Sequence, residues 1–103
     1  MKRAGAVLAA LSMAALVACS SSSYKPDSQD GGTIFLEACR PCHAGPSSPG
    51  GGLAGRNLTA RQVVARLQSG GRGMPAFPGI NGEARDNLVR FVVGMSRPQG
   101  DAP

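Results

Sequence analysis

The sequence predicts an all-α domain with three short helices, and two patterns carry that prediction. A capping box spans Thr59 to Gln62, and apolar residues repeat at helical spacing from Ala84 to Met95, ahead of Pro98. No run of β-branched or aromatic residues has the alternation of a strand. The chain has 103 residues with 15 Gly and 8 Pro, which indicates one domain with many turns.

The first helix is predicted to begin after Asp30, whose carboxylate can cap it. Its apolar side is formed by Ile34, Phe35 and Ala38. Pro41 is expected to end regular helix, because proline has no N–H to donate.

The other two helices have equally local signals. Thr59 and Gln62 can cap each other, so the second helix is expected to start near Ala60 and to stop at residues 69–71, Ser-Gly-Gly. Asn81 is expected to cap the third helix. The predicted buried face of that helix consists of Ala84, Leu88, Phe91, Val92 and Met95.

Residues 39–43, Cys-Arg-Pro-Cys-His, have the C-x-x-C-H spacing by which a c-type haem is attached. Cys39 and Cys42 can each form a thioether with a haem vinyl group, and His43 can then be an axial iron ligand. His43 is the single histidine of the chain. With three Phe, one Tyr and no Trp, the polypeptide offers few aromatic core residues, and a covalently bound haem c would complete the core.

Two alternatives without haem share the C-x-x-C pattern. A zinc site needs four ligands, and the remaining cysteine or histidine candidate is Cys19. A thioredoxin-like dithiol would lie near a strand-helix-strand unit, which the sequence does not predict. A dithiol redox or metal-binding protein is therefore the least favoured hypothesis.

Residues 1–18 have the features of an export signal, with a basic start and an apolar run of about 15 residues, shorter than the roughly 20 that span a bilayer. The run ends in Leu-Val-Ala-Cys, which resembles the lipobox of bacterial lipoproteins. We therefore predict a lipid on Cys19 and an exported protein held on the periplasmic or extracellular side of a bacterial membrane. The alternative is cleavage near Ala18 that leaves a free thiol.

The remaining boundaries follow from composition. Residues 19–30 are polar and are predicted to be a flexible tether behind the lipid anchor. Residues 31–97 are the predicted haem domain, and residues 98–103 are a predicted disordered tail.

Together, these features resemble the class I cytochromes c, specifically the small single-haem lipoprotein type of bacteria. The resemblance rests on residues 39–43, on the Gly-Met-Pro-Ala-Phe segment at residues 73–77, and on the helix order. It implies a small class I cytochrome c fold with three main helices around one covalently bound haem. It also implies that Gly31 and Phe35 pack against Phe91.

The resemblance further implies a second axial ligand, a Met in the loop before the last helix, and Met74 matches it. Of the four methionines, Met1 and Met13 lie in the predicted signal, and Met95 continues the apolar face of the last helix. Pro75 favours an extended conformation at Met74, so helical burial does not explain that side chain.

One stretch departs from the family pattern. The family commonly has a Pro before a Leu-x-Gly turn, and the carbonyl of that Pro accepts the Nδ1 proton of the iron-binding histidine. Residues 50–55 read Gly-Gly-Gly-Leu-Ala-Gly here, and Pro49 is out of register. The sequence therefore leaves open which carbonyl orients His43.

Charge and resemblance suggest the partners. Residues 31–97 hold eight arginines against three acidic residues, a formal charge of +5, and two haem propionates would lower it to about +3. This favours redox partners with an acidic docking face, although a merely solvated surface is the alternative. Binding to nucleic acid is not expected of an exported protein.

The resemblance implies a membrane-anchored electron carrier between respiratory or periplasmic redox partners, with no catalytic residue and no small-molecule substrate. The alternative is a haem-bearing electron-entry subunit of a larger oxidoreductase complex.

Overall fold

The computed structural model describes residues 21–98. Its first helix, α1, runs through three consecutive segments, Gly31–Ile34, Phe35–Cys39 and Arg40–His43. Helix α2 is Ala60–Ser69 and helix α3 is Gly82–Met95. The described residues form isolated bridges but no strand, so the prediction of an all-α fold with three main helices is confirmed.

Several predicted features lie outside the described residues. They are the export signal at residues 1–18, the lipidation site Cys19, and residues 99–103 of the tail. Within residues 21–98, no helix is both long enough and apolar enough to cross a bilayer.

Helix α1 begins as predicted but does not end as predicted. The Asp30 carboxylate accepts the Thr33 N–H and the Thr33 hydroxyl, both at 2.9 Å, and these bonds lower the pKa of Asp30. The expectation that Pro41 ends the helix is wrong, because the helix continues to His43. The middle segment is a π-helix in which the Arg40 N–H reaches the Phe35 carbonyl, so Pro41 falls in the first turn of a new α segment, where its missing N–H costs little.

The predicted capping box at the start of helix α2 is confirmed. The Gln62 N–H donates to the Thr59 hydroxyl at 3.2 Å, and the Thr59 N–H donates to the Gln62 side-chain oxygen at 2.9 Å. Gly70 ends the helix in a left-handed conformation with φ of 67°, and its N–H donates to the Arg66 carbonyl at 2.7 Å.

Helix α3 starts at the expected place, but the expected side-chain cap by Asn81 is wrong. Asn81 precedes it, but the Asn81 side chain donates to the Pro78 carbonyl at 3.2 Å and makes no capping bond. The predicted face is also shifted, because Phe91 is 40 % exposed and Met95 is half-buried. The buried residues of α3 are Ala84, Leu88, Val89 and Val92.

The crossing of α1 and α3 explains this shift. Gly31 lies so close to α3 that a Cβ on it would overlap the Asn87 carbonyl. The helices therefore meet backbone to backbone, and Phe91 lies at the side of the crossing with its ring centroid 5.5 Å from that of Phe35. The implied packing of Phe35 against Phe91 is confirmed, although Phe91 keeps an exposed face. Gly31 instead meets the α3 backbone at Asn87, and the glycine beside the Phe91 ring is Gly32. Helix α2 packs on α3 as well, so α3 is the centre of the domain.

Residues 21–29, which we call the N-terminal strap, run along the domain in an extended conformation. The Ser22 N–H donates to the Ala76 carbonyl at 2.7 Å, and the Asn87 side chain donates to the Gln29 carbonyl at 2.8 Å. Tyr24 is half-buried against the core. The expectation of a flexible tether at residues 19–30 therefore does not hold from residue 21 onward, because this polar segment finds hydrogen-bond partners and a site for its aromatic ring.

Candidate functional site

The cysteines of the C-x-x-C-H motif lie in the second half of α1. Cys39 ends the π segment and is half-buried against the core, whereas Cys42 is exposed, and both are free thiols. Burial raises the pKa of Cys39 to about 11. The thiolate is the reactive form of a cysteine, so burial disfavours Cys39 as a nucleophile.

The zinc alternative is no better supported. Among residues 21–98, no three side chains of His, Cys, Asp or Glu come together in a group that could hold a metal ion. Tetrahedral zinc sites need four ligands. Cys19, the further candidate from the sequence, lies outside the described residues.

The structure identifies the carbonyl that orients His43. The Nδ1 atom of His43 lies 3.0 Å from the carbonyl oxygen of Gly51. Since a carbonyl can only accept, Nδ1 is the donor, and in the neutral imidazole Nε2 then keeps its lone pair. A histidine held in this way presents Nε2 as a ligand with fixed orientation.

Glycines allow this loop to close on the imidazole. The Gly50 N–H donates to the Cys42 carbonyl at 2.6 Å. A Cβ on Gly50 would lie 2.6 Å from Cε1 and 2.9 Å from Nδ1 of His43, closer than real contacts allow. Gly51 itself has φ of 75°, a left-handed conformation that favours glycine. Sequence reasoning missed the role of Gly51, and the run of three glycines at residues 50–52 was the available signal.

Met74 lies in a tight, hydrogen-bonded turn after α2. Its N–H donates to the Gly71 carbonyl at 3.0 Å, and its own carbonyl accepts the Gly71 N–H at 2.9 Å. The two central residues, Arg72 and Gly73, have φ of 52° and 87°, as in a type I′ turn. The Phe77 N–H then donates to the Leu67 carbonyl of α2 at 2.7 Å, so the backbone on both sides of Met74 is fixed. The Met74 side chain is half-buried against the core.

Met95 has a different setting. It lines a surface groove of about 560 Å³ between α1 and α3 that also includes His43, Arg40 and Phe91, and Met74 is not among the lining residues. The groove opens beside Leu36, which is 58 % exposed. The structure thus groups Cys39, Cys42 and His43 on α1 and Met95 near His43, and the ligand role of Met74 stays a prediction.

The donor set and the partly covered apolar side chains of the domain suit a haem. Two free thiols and an imidazole with an available Nε2 are the groups that haem c attachment uses. Around the core, several apolar side chains are only partly covered, which is the kind of surface a flat apolar cofactor can bury. They include Ala38, Leu58, Val64, Met74, Val93 and Met95.

Comparison with known proteins supports this fit. A family model described as "Cytochrome C oxidase, cbb3-type, subunit III" matches residues 26–92, which include the whole C-x-x-C-H motif, Met74 and most of α3. No curated protein and no solved structure matches the chain. The match covers well over half of the 103 residues, and with it the prediction of a covalently bound haem c with its iron is confirmed.

Proposed function

The chain belongs to the family described as cytochrome c oxidase, cbb3-type, subunit III, and is thus a c-type cytochrome of electron transfer; we propose that it is a lipid-anchored single-haem electron carrier. In this proposal, Cys39 and Cys42 hold the haem, and His43 and Met74 are the axial ligands. When bound, the haem supplies one-electron exchange at iron. The observation that carries the proposal is the hydrogen bond from His43 Nδ1 to the Gly51 carbonyl, because it prepares Nε2 for a metal.

The surroundings of the site support a carrier without an open coordination position. Gly50 and Gly51 hold His43 on one side, and the turn at Gly71 holds the backbone of Met74. Together, His43 and Met74 would fill both axial positions of a bound haem and leave no place for a substrate. No residue is assigned a catalytic role.

We expect the ferrous protein not to bind carbon monoxide at neutral pH while it exchanges electrons reversibly with small-molecule mediators. The reason is that a bound thioether would occupy the sixth position. The measurement is the ferrous absorption spectrum before and after addition of carbon monoxide, with a pyridine haemochrome assay to verify the haem. Rapid formation of a carbon monoxide complex by the wild type would contradict the carrier proposal and indicate a site for a reacting ligand.

A second candidate function is an electron-entry subunit of a larger oxidoreductase. It is favoured by the family description, which names an oxidase subunit. Gel filtration of detergent extracts from the native host separates the two candidates. Elution at the size of a small cytochrome supports the carrier, and co-elution with a larger redox complex supports the subunit.

The membrane anchor gives a separate prediction. With a lipid on Cys19, the wild-type protein should partition into the membrane fraction, and the Cys19→Ser variant should move to the soluble fraction after signal cleavage. Immunoblotting of fractionated cells measures this, and Ser20→Ala is the matched control, since it leaves the cysteine in place. Complete retention of Cys19→Ser in the membrane would show that this residue is not the anchor.

The positive charge of the domain predicts that the rate of electron transfer to or from the partner depends on salt concentration. Residues 31–97 carry a formal charge of +5, and Arg40 and Arg72 are exposed next to the proposed haem residues. The rate of electron transfer with the native partner should fall as ionic strength rises toward about 0.1 M, where the Debye length is about 10 Å. Stopped-flow measurements over a salt series test this, and a rate independent of ionic strength would remove the basic surface from the docking mechanism.

A further inference from the structure

The N-terminal strap connects parts of the chain that carry the proposed iron ligands. At one end, Ser21 forms a parallel bridge with Ala76, and the Ser22 N–H donates to the Ala76 carbonyl at 2.7 Å. Ala76 is buried and follows Met74 by two residues. Gly79, a little further along, approaches the strap so closely that a Cβ on it would overlap the Tyr24 carbonyl. The strap therefore lies directly against the segment that follows Met74.

Tyr24 connects the same strap to α1. Its ring is half-buried against the core, and its hydroxyl donates to the Glu37 carboxylate at 2.7 Å. Glu37 precedes Cys39 by two residues in the π segment of the helix. A short hydrogen bond to a carboxylate is stronger than one between neutral groups. The Ser22 side chain also accepts the Tyr24 N–H at 3.1 Å, which fixes the strap between its two contacts.

The Tyr24 hydroxyl stays protonated, so it can always donate its hydrogen bond to Glu37 at neutral pH. Burial, followed by the hydrogen bond and the charge of Glu37, raises the pKa of Tyr24 from 10.0 to about 12. The hydroxyl is therefore a donor at every physiological pH. Because the folded-state pKa is raised, the contribution of this group to stability is complete below pH 10 and is lost as the pH rises through about 12.

The other contacts of the Met74 loop lead to α2. The turn pairs Met74 with Gly71, just after that helix, and the Phe77 N–H donates to the Leu67 carbonyl. The helix that carries Cys39 and His43 is α1, not α2. Among residues 21–98, the strap supplies a direct link from the loop to α1.

We propose that Tyr24 is a positioning residue for Met74: its hydrogen bond to Glu37 fixes the strap on α1, and the strap holds the backbone at Ala76 so that the Met74 side chain stays in reach of the iron. This rests on the proposed role of Met74 as an axial ligand. Tyr24 acts only through the strap and touches neither the cofactor nor a reacting atom in this account.

The test compares ligand loss with unfolding in the ferric holoprotein. The sulfur-to-iron charge-transfer band in the far red reports the methionine bond, and far-ultraviolet circular dichroism reports the helices. In Tyr24→Phe, the band should disappear at a temperature about 5 °C lower than in the wild type, while the helical transition moves less. Glu37→Ala should do the same, and Glu37→Gln should stay close to the wild type because its amide oxygen still accepts. Ser23→Ala, a change at an exposed residue of the same strap, is the matched control.

Hydrogen exchange tests whether the strap holds the loop, and it does so independently of whether Met74 is an iron ligand. Loss of the Tyr24 hydroxyl should speed exchange of the Ser22 and Phe77 amides by about five-fold relative to Ser23→Ala. If the wild type lacks the band, the ligand assignment of Met74 fails, and the exchange rates alone decide whether the strap holds the loop. Unchanged exchange in Tyr24→Phe, or loss of the band together with the helices in every variant, overturns the positioning role.

Discussion

Replacement of Met74 by alanine is expected to abolish the far-red charge-transfer band of the ferric protein and to lower its reduction potential. The thioether is a neutral, soft ligand that favours ferrous iron, so its loss favours the ferric state. The expected fall is on the order of 0.2 V, a quarter of the roughly 0.8 V range over which axial ligands set haem potentials. Redox titration monitored by absorption measures the potential, and the ferric spectrum shows the band.

Met95→Leu is the matched control for this prediction. Met95 is half-buried beside the groove that includes His43, so it is the rival methionine within the described chain. Leucine keeps the volume of the side chain and removes the sulfur, which should cost little stability. Retention of the band in Met74→Ala together with its loss in Met95→Leu would assign the ligand to Met95 and contradict the proposal.

Gly31→Ala should destabilise the protein by about 3 kcal/mol, near the upper end of typical overpacking costs. The added Cβ would overlap the carbonyl of Asn87, which belongs to the backbone of α3 and cannot rotate away as a side chain would. The helices would have to separate at the crossing where Phe35 packs on Phe91. Thermal unfolding should shift downward by about 12–24 °C for a domain of this size.

Gly94→Ala serves as the control for that prediction. Gly94 lies inside α3, and a Cβ on it would meet no atom within 4 Å. Alanine should therefore stabilise the helix by up to about 1 kcal/mol, since glycine is the poorer helix former. Equal melting temperatures for Gly31→Ala and the wild type would mean that the close approach of α1 and α3 is not required for stability.

The sequence predicted those features that local chemistry determines. The capping box of Thr59 and Gln62 involves residues three apart, and the cap at Asp30 acts within one turn, so neither needs knowledge of the fold. The C-x-x-C-H motif is likewise a contiguous pattern, and with it came the covalent haem. The number and order of the helices followed from the same kind of signal.

Features that depend on distant contacts were not predicted. Phe91 is exposed because α1 crosses α3 beside it, at Gly31. Asn81 is a local case, since its side chain donates to the Pro78 carbonyl three residues earlier and so makes no capping bond. Pro41 was expected to end a helix, but the π segment before it places it at the start of a new α segment. The partner of His43 depends on how a loop of glycines folds back, which brings Gly51, eight residues away, to the imidazole.

With the proposed lipid on Cys19, the N-terminal strap would also limit how far the domain can move from the membrane. An eleven-residue flexible linker at residues 20–30 would have a root-mean-square span of roughly 17 to 20 Å. Because the chain is already fixed to the domain at Ser21, a lipid on Cys19 would be separated from that point by at most about 7 Å of polypeptide. The side of the domain at Ala76 would then face the lipid headgroups, and electron exchange would be confined to partners whose redox centres lie within a narrow layer above the bilayer.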